Sequence, residues 1–386
     1  MDFIEQKFSV PFDYKVFFTS ALFNIQNTLF NDFLKEKKTN SIQKIFFVID
    51  EQVANAHKNL VAEIIAYFKQ YDTVILVEDI LIIPGGEAVK NDLTLFNAIV
   101  EAVNVHGIDR HSYIAAIGGG SLLDVAGYAA AVAHRGIRHI RISTTTLSQN
   151  DSGIGVKNGV NYLQKKNFLG TFAPPFAVFN DDQFLLTLDE RNWRSGISEA
   201  IKVALIKDAI FFNWIEENSS QLVARDLTTM NYLVRRCAEL HMQHIAGDDP
   251  FEMGSSRPLD FGHWSAHKLE QLTNFKILHG EAVAMGIALD SAYSAFTNRI
   301  SLDIAIRIIN VLHALGFEIT HPYMQVNEDN ALLEGLNEFR QHLGGQLTIM
   351  LLCAFGTGEE VHEIDTEILK KSAQYLQQYS TENIHA

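Results

Sequence analysis

A chain of 386 residues suits about two domains with substantial cores, and 47% hydrophobic with 20% charged residues is ordinary for a globular protein. A formal net charge of −15 excludes a protein that grips nucleic acid through a basic stripe, although a small anionic substrate needs only a local basic pocket. Two cysteines, Cys237 and Cys353, exclude a disulfide framework and a cysteine-rich zinc site.

The N-terminal stretch MDFIEQKFSVPFDYKVFF alternates apolar and polar residues as a strand does, and lacks the basic-then-apolar layout of a signal peptide. No apolar run reaches membrane-spanning length. The expectation is a cytoplasmic protein without membrane or nucleic-acid partners.

Next come four apolar, β-rich runs: KIFFVID (44–50), TVILVED (73–79), SYIAAIGGG (112–120) and HIRISTTTL (139–147). Helical patterns at 52–70, 91–107 and 121–135 separate them. Such β-α alternation predicts a parallel, Rossmann-like sheet, an α/β fold. The run IGGGSLLDVAGYAAA (117–131) reads as strand, triple glycine and helix start. Glycines let a backbone approach a pyrophosphate, whose charge suits the amides at a helix N-terminus. Three adjacent glycines are not the GxGxxG fingerprint, so a plain tight turn explains them equally well. Asp50, at a strand end, has the chemistry to hold a ribose hydroxyl. In PGGEAVKND (84–92), Glu87 and Lys90 fit either a solvated charge pair on a capped helix or a site above a cofactor.

The stretch STTTLSQNDSGIGVKNGVNYLQKKNFLGTFAPP (143–175) reads as a long polar loop, and long irregular segments inside compact domains are often functional. Lys157, Lys166 and Asn167 offer point charges and an amide donor suited to a phosphate. Beyond TFAPPFAVFND (171–181) the pattern turns helical, at 195–217, 228–246, 262–273, 279–297 and 302–315. This places the domain break near 175–190, giving domains 1–185 and 186–386, the second mostly helical.

Within SSRPLDFGHWSAHKLE (255–270), His263 and His267 stand four residues apart, on one helix face, with Asp260 just upstream. Such a pair binds a metal, neighbours an anion, or is simply packed. A catalytic zinc takes three protein ligands and keeps one position open. Glu199 in SGISEAIK and His279 in HGEAVAMG are the further candidates. Taken singly, each is more often a packed residue than a ligand.

Taken together, GGGSLLDVAGYAAAVAHRG, DSGIGVKNGVN, KKNFLGTF, RSGISEAIK, FGHWSAHKLE and HGEAVAMG resemble the sugar phosphate cyclases, the superfamily of 3-dehydroquinate synthase. The resemblance runs from Asp50 to about Leu352, in the family's order and nearly its spacing. It implies a dinucleotide-binding domain followed by a helical metal domain, with NAD and Zn2+ (or Co2+) as cofactors and a homodimer as the assembly. The family's metal ligands fall on Glu199, His263 and His279. Its NAD positions fall on Asp50, Glu87, Lys90, Gly119, Gly120, Ser121, Asp124, Thr144, Thr145, Leu147, Thr187 and Leu188. Phosphate contacts fall on Lys157, Asn167, His267, Arg340 and Arg135 of the partner subunit, and Asp151, Lys166 and Lys202 take further active-site places. The implied chemistry begins with oxidation of a ring hydroxyl by NAD+ and elimination of phosphate. Return of the hydride, ring opening and aldol closure to a carbocycle complete it.

The substrate of 3-dehydroquinate synthase carries a carboxylate, held in that family by a lysine, an arginine and an asparagine. Counting from His263 and Glu252 puts Met242, Ser256 and Asp260 at those places, and Arg257 compensates only if the register slips by one. An acid facing a substrate carboxylate is unfavourable. Together with GLNEFRQHLGG (335–345), the wording RPLDFGH resembles cyclases of sedoheptulose 7-phosphate, whose neutral hydroxymethyl end suits Asp260 as an acceptor. The expected activity is therefore conversion of a phosphorylated seven-carbon sugar to a valiolone-type cyclitol. The alternatives are 3-dehydroquinate synthase itself, a net NAD-dependent polyol dehydrogenase, and a non-catalytic binding protein on the same fold.

Overall fold

The computed structural model describes residues 2–163, 165–247, 249–251, 258–326, 331–342 and 345–383. Two compact units emerge, one built from residues up to Ser143 together with Val156–Asp181, the other from Thr144–Gly155 and Asp182 onward. The sequence pattern suggests one break at 185. In the structure the first unit ends at Asp181, and the segment 144–155 groups with the second.

The first unit contains strands β1 (Val16–Thr19), β2 (Lys44–Asp50), β3 (Ile75–Leu76), β4 (Leu81–Ile83), β5 (Tyr113–Gly118), β6 (Arg138–Ser143), β7 (Lys157–Tyr162), β8 (Lys165–Phe172) and β9 (Ala177–Asp181). Its helices are α1 (Leu29–Glu36), α2 (Glu51–Ala56), α3 (Leu60–Gln70), α4 (Leu93–His106) and α5 (Gly120–Val132). A parallel sheet runs in the order β1-β9-β6-β5-β2-β3, with β4 also pairing with β2. KIFFVID and YIAAIG are buried almost throughout, as central parallel strands with both faces covered must be. Phe46, Val48, Ile114 and Ala116 meet Leu122, Leu123 and Ala126 of α5 in one core. Chain order reverses between β2 and β5, which pair with Ile49 opposite Ile117. Asp50 and the glycine run therefore emerge side by side at the carboxyl ends of two strands, where open α/β sheets bind ligands.

Three expectations change here. Of 73–79, only Ile75–Leu76 pairs, because this short segment lies on the sheet edge, and Leu81–Ile83 supplies the second pairing with β2. Of the N-terminal stretch, only its end joins the sheet, as β1. The expected loop 143–175 is largely ordered: Ser148–Ser152 form a turn of π-type helix, and β7 and β8 form an antiparallel hairpin. Buried Arg141 donates from Nη2 to Asn158 Oδ1 (2.7 Å) and to the Lys157 carbonyl (3.1 Å).

The second unit holds α6 (Glu190–Lys207), α7 (Ala209–Glu217), α8 (Ser219–Val223), α9 (Leu227–Ile245), α10 (His263–Leu272), α11 (His279–Phe296), α12 (Leu302–Ala314), α13 (Ala331–His342) and α14 (Thr366–Asn383), with one antiparallel hairpin, β10 (Ile349–Ala354) and β11 (Thr357–Val361). The helical character expected after residue 181 is what forms. Aspartates cap α6, α7 and α9, Asp189, Asp208 and Asp226 each accepting from a first-turn amide. The helices α10 and α11 meet at Gly262 and Gly286, where a Cβ on either would strike the other's backbone. Gly262 also has φ 77°, a left-handed conformation that favours glycine. This close crossing brings the histidine-bearing ends of the two helices together. Among the described residues, no helix is long and apolar enough to cross a membrane.

Candidate functional site

The first unit carries a polar cluster above the carboxyl ends of β2 and β5. Asp50 is 7% exposed, and its carboxylate caps α2 by accepting from Gln52 N (2.8 Å). Burial raises its pKa, against the pull of the Gln52 and Val53 amides. Helix α5, by contrast, opens on Gly119 with no side-chain cap. A helix start without a side-chain cap, opening on glycine, is the kind of backbone that can accept a phosphate group.

Beside it, Lys90 is buried, with Nζ 2.5 Å from Asp124 Oδ2 and 3.0 Å from Asn167 Oδ1. Glu87 accepts from Ser121 Oγ (2.9 Å) and from Asn161 Nδ2 (3.3 Å). Asn161 also donates to Asn91 Oδ1 (3.0 Å) and accepts from Asn167 N (2.8 Å). Sequence reasoning passed over Asn161, although it lies inside the quoted motif DSGIGVKNGVN. It ties the hairpin to the turn that bears Glu87 and Lys90. The structure thus joins Glu87, Lys90, Ser121, Asp124 and Asn167 in one network. Lys157 and Arg135 are exposed and Lys166 is half-buried.

The remaining expected dinucleotide residues, Thr144, Thr145, Leu147, Thr187 and Leu188, belong to the second unit. Thr145 exchanges hydrogen bonds with Ser148, and Thr187 Oγ1 donates to the Phe184 carbonyl (3.1 Å).

The second unit also carries a denser cluster. Glu199, on α6, is fully buried; His263 begins α10 and His279 begins α11. Glu199 Oε1 lies 3.6 Å from His263 Nε2 and 3.3 Å from His279 Nε2. One ligand atom from each of the three falls within 4.8 Å of the others. Both rings are oriented from behind: His263 Nδ1 is 3.2 Å from the Phe261 carbonyl, and His279 Nδ1 is 3.0 Å from Glu270 Oε2. Carbonyl and carboxylate oxygens only accept, so each Nδ1 donates to its own partner, and Nε2 is the ring atom that faces Glu199 and would coordinate a metal. One carboxylate with two imidazoles is a donor set suited to a divalent metal with an open position. Burial, and then the Lys202 charge, push the His263 pKa well below the ordinary value, keeping the ring neutral as a ligand must be.

Around these three lie charged partners. Lys202, 2% exposed, is ion-paired with Glu199 one helical turn away. Burial pushes the Glu199 pKa up, but Lys202 and His279 outweigh it and bring it down to about 2. Lys202 is likewise disfavoured by burial, yet Glu199, Asp151 and Asp260 raise its pKa above the ordinary value. Asp151 feels burial and the Glu199 charge; Lys202 and His241 reverse both and leave its carboxyl below the usual range.

His241 Nδ1 sits 2.9 Å from Asp151 Oδ1. The α9 residue joined to this cluster is thus His241, the neighbour of the Met242 that counting from His263 picks out. His267 packs on the same group, its ring centroid 5.4 Å from that of His263 and 5.8 Å from that of His279. With Glu270 and His279 it forms a second set of convergent ligand atoms, which shares His279 with the first. Arg340, on α13, is exposed and donates to Asn337 Oδ1 (3.0 Å). Glu252, Ser256 and Arg257 lie outside the described residues.

The family model for the 3-dehydroquinate synthase N-terminal region matches residues 80–195, and the model for its C-terminal region matches 196–337. A 3-dehydroquinate synthase of Shewanella sp. (strain MR-4) is 32% identical over 359 residues, spanning 93% of this chain and 95% of the relative. Among solved structures, ValA (2-epi-5-epi-valiolone synthase) from Streptomyces hygroscopicus subsp. jinggangensis 5008, with NAD+ and Zn2+ bound, superposes with TM-score 0.87 at 27% identity, over 97% of this chain and all of that one. A 2-deoxy-scyllo-inosose synthase complexed with carbaglucose-6-phosphate, NAD+ and Co2+ shares the fold, with TM-score 0.77 at 21% identity over 93% and 96% of the two chains.

Proposed function

The chain belongs to the 3-dehydroquinate synthase family, and from that premise we propose that it is an NAD+- and metal-dependent sugar phosphate cyclase acting on sedoheptulose 7-phosphate. The product in this reading is a valiolone-type seven-carbon cyclitol, formed with loss of phosphate. The observation that carries the substrate choice is the charge balance in the second unit. Asp260 acts on Lys202 together with Glu199 and Asp151, so three acids already share that buried ammonium. A carboxylated sugar brings a further negative charge to this group, while a hydroxymethyl end offers hydroxyls that Asp260 can accept. The likeness to 2-epi-5-epi-valiolone synthase supports the same choice. The second reading, 3-dehydroquinate synthase, is favoured by the 32% identity to the Shewanella enzyme.

Glu199, His263 and His279 are the residues that would hold the divalent ion, which supplies Lewis acidity for negative charge developing on substrate oxygen. The first unit, through Gly119, Gly120 and Asp50, would hold the dinucleotide, which supplies a recyclable hydride acceptor. The protein's own groups do the rest. Lys202 keeps its proton on Nζ and acts as a fixed cation, a consequence of its three acidic neighbours. Asp151 orients His241 through Nδ1, leaving Nε2 of that ring to take or return a proton. Lys157, Asn167 and His267 are assigned to the phosphate, where positive charge favours both binding and departure. In a homodimer, Arg135 of the partner subunit joins them.

Two measurements test this reading. Phosphate release from sedoheptulose 7-phosphate is expected at an ordinary enzymatic rate. The carboxylated 3-deoxy-arabino-heptulosonate 7-phosphate is expected to react about a hundredfold more slowly or worse, as a few kcal/mol of unpaired charge in a desolvated site implies. Comparable rates with both sugars, and 3-dehydroquinate as a product, overturn the substrate choice. For the cofactor, NAD should bind at least about tenfold more tightly than NADP, since Asp50 opposes a ribose 2′-phosphate and roughly 1.4 kcal/mol of repulsion suffices. NADH should not accumulate with turnover. Steady accumulation instead identifies a net polyol dehydrogenase.

A further inference from the structure

The two bonds that bracket His263 end on a single carboxylate. Gly262 N donates to Asp290 Oδ2 (3.0 Å) and Trp264 Nε1 donates to Asp290 Oδ1 (3.0 Å). Asp290 lies on α11, the helix that also begins with His279. It is 2% exposed, and Trp264 is 1% exposed. Helix α10 has no side-chain cap of its own at Gly262, and this carboxylate from the neighbouring helix instead holds the N-cap residue's own amide and the indole of the first turn.

We infer that Asp290 is a positioning residue for the metal centre, locking the first turn of α10 onto α11 so that His263 and His279 keep their spacing. The inference rests on the proposed ligand set of Glu199, His263 and His279. Its physical basis is redundancy of direction. Gly262 fixes where the backbone enters the ligand-bearing turn, and Trp264 fixes the turn's rotation, while the Gly262–Gly286 crossing sets the distance between helices. Without Asp290, two buried donors lose their acceptor, and the Phe261 carbonyl is left as the hydrogen-bond partner of His263 Nδ1 in a turn no longer held on either side. The carboxyl and its donors are coupled: burial pushes the Asp290 pKa up to about 7, and the Trp264 and Gly262 bonds pull against that rise. A purely apolar side chain would pack more easily at this depth, so a buried acid here is retained at a cost in folding. The cost is intelligible if the acid organises the site.

The test compares Asp290→Ala and Trp264→Phe with Leu312→Ala, a fully buried α12 residue outside the cluster that serves as a control for general destabilisation. Zinc affinity is measured by chelator competition, and the visible spectrum of the cobalt-loaded protein reports ligand geometry. Asp290→Ala is expected to weaken zinc binding by about tenfold or more and to alter the cobalt spectrum. Trp264→Phe, which spares the Gly262 bond, should give a smaller shift in the same direction. Leu312→Ala should lower the unfolding midpoint while leaving affinity and spectrum unchanged. If Asp290→Ala binds zinc as tightly as the parent with an unaltered spectrum, the inference is overturned. If Asp290→Ala does not fold, Trp264→Phe decides alone, and parental affinity and spectrum in that variant overturn the inference too. A parent protein that binds no metal through His263 is a different failure, that of the ligand assignment itself.

Discussion

Replacing His263 with alanine is expected to bring bound metal from about one ion per chain to almost none and to lower turnover by about 10³-fold or more. Losing Lewis acidity removes several kcal/mol of charge stabilisation, and each 1.4 kcal/mol is a factor of ten. The prediction follows from Nε2 of His263 and of His279 facing one carboxylate oxygen of Glu199, while each Nδ1 is engaged elsewhere. Only a histidine already aimed in this way is worth so much. His267→Ala is the informative companion. His267, Glu270 and His279 also converge, so a metal held there would survive loss of His263 and depart with loss of His267. We expect the reverse: His267→Ala keeps the metal and raises KM for the phosphorylated substrate. Metal content by elemental analysis, with phosphate release on the same samples, separates the two. Full metal occupancy in His263→Ala rejects the ligand set.

The second large effect concerns stability. Lys202→Met is expected to destabilise the metal-free protein by about 3–5 kcal/mol at pH 7, the usual result of removing one partner from a buried ion pair. Lys202 is enclosed with Glu199, Asp151 and Asp260, so its loss leaves several acids facing one another. The pH dependence has a definite sign. With Lys202 in place, the Glu199 pKa is down at about 2 from 4.5. Its stabilising contribution is present above 4.5 and is lost as pH falls through about 2. Without the ammonium, burial dominates and the Glu199 pKa rises. Acidification should then relieve the strain, so the variant's deficit should shrink between pH 7 and pH 5. Added zinc should shrink it as well, because a divalent cation replaces the missing charge. Urea unfolding at the two pH values, with and without chelator, measures this. A Lys202→Met protein as stable as the parent at pH 7 contradicts the electrostatic account.

The central parallel strands of the first unit were legible from the residues alone, and the family resemblance singled out Glu199, His263 and His279, whose ligand atoms the structure brings together. KIFFVID, SYIAAIGGG and HIRIS announce buried parallel strands, because a strand covered on both faces has no reason to alternate. Glu199, His263 and His279 are legible because few other residue types bind a divalent ion, and they stand in motifs with family spacing. The hairpin at 157–172 was not legible. Its inward side chains include Asn158 and Asn161, which read as loop residues until Arg141, Glu87 and Asn91 are brought against them. His241 was hidden for another reason: which face of α9 turns toward Asp151 is a matter of helix phase. Counting back from His263 lands one residue away, on Met242, and a one-residue slip on a helix is a rotation of about 100°. The clamp from Asp290 to Gly262 and Trp264 joins residues 26 and 28 positions apart through a crossing that two glycines permit. Local patterns report what each segment buries. Only the packed helices decide which buried acid faces which donor, because that pairing depends on distance and direction across elements and leaves no period in the chain.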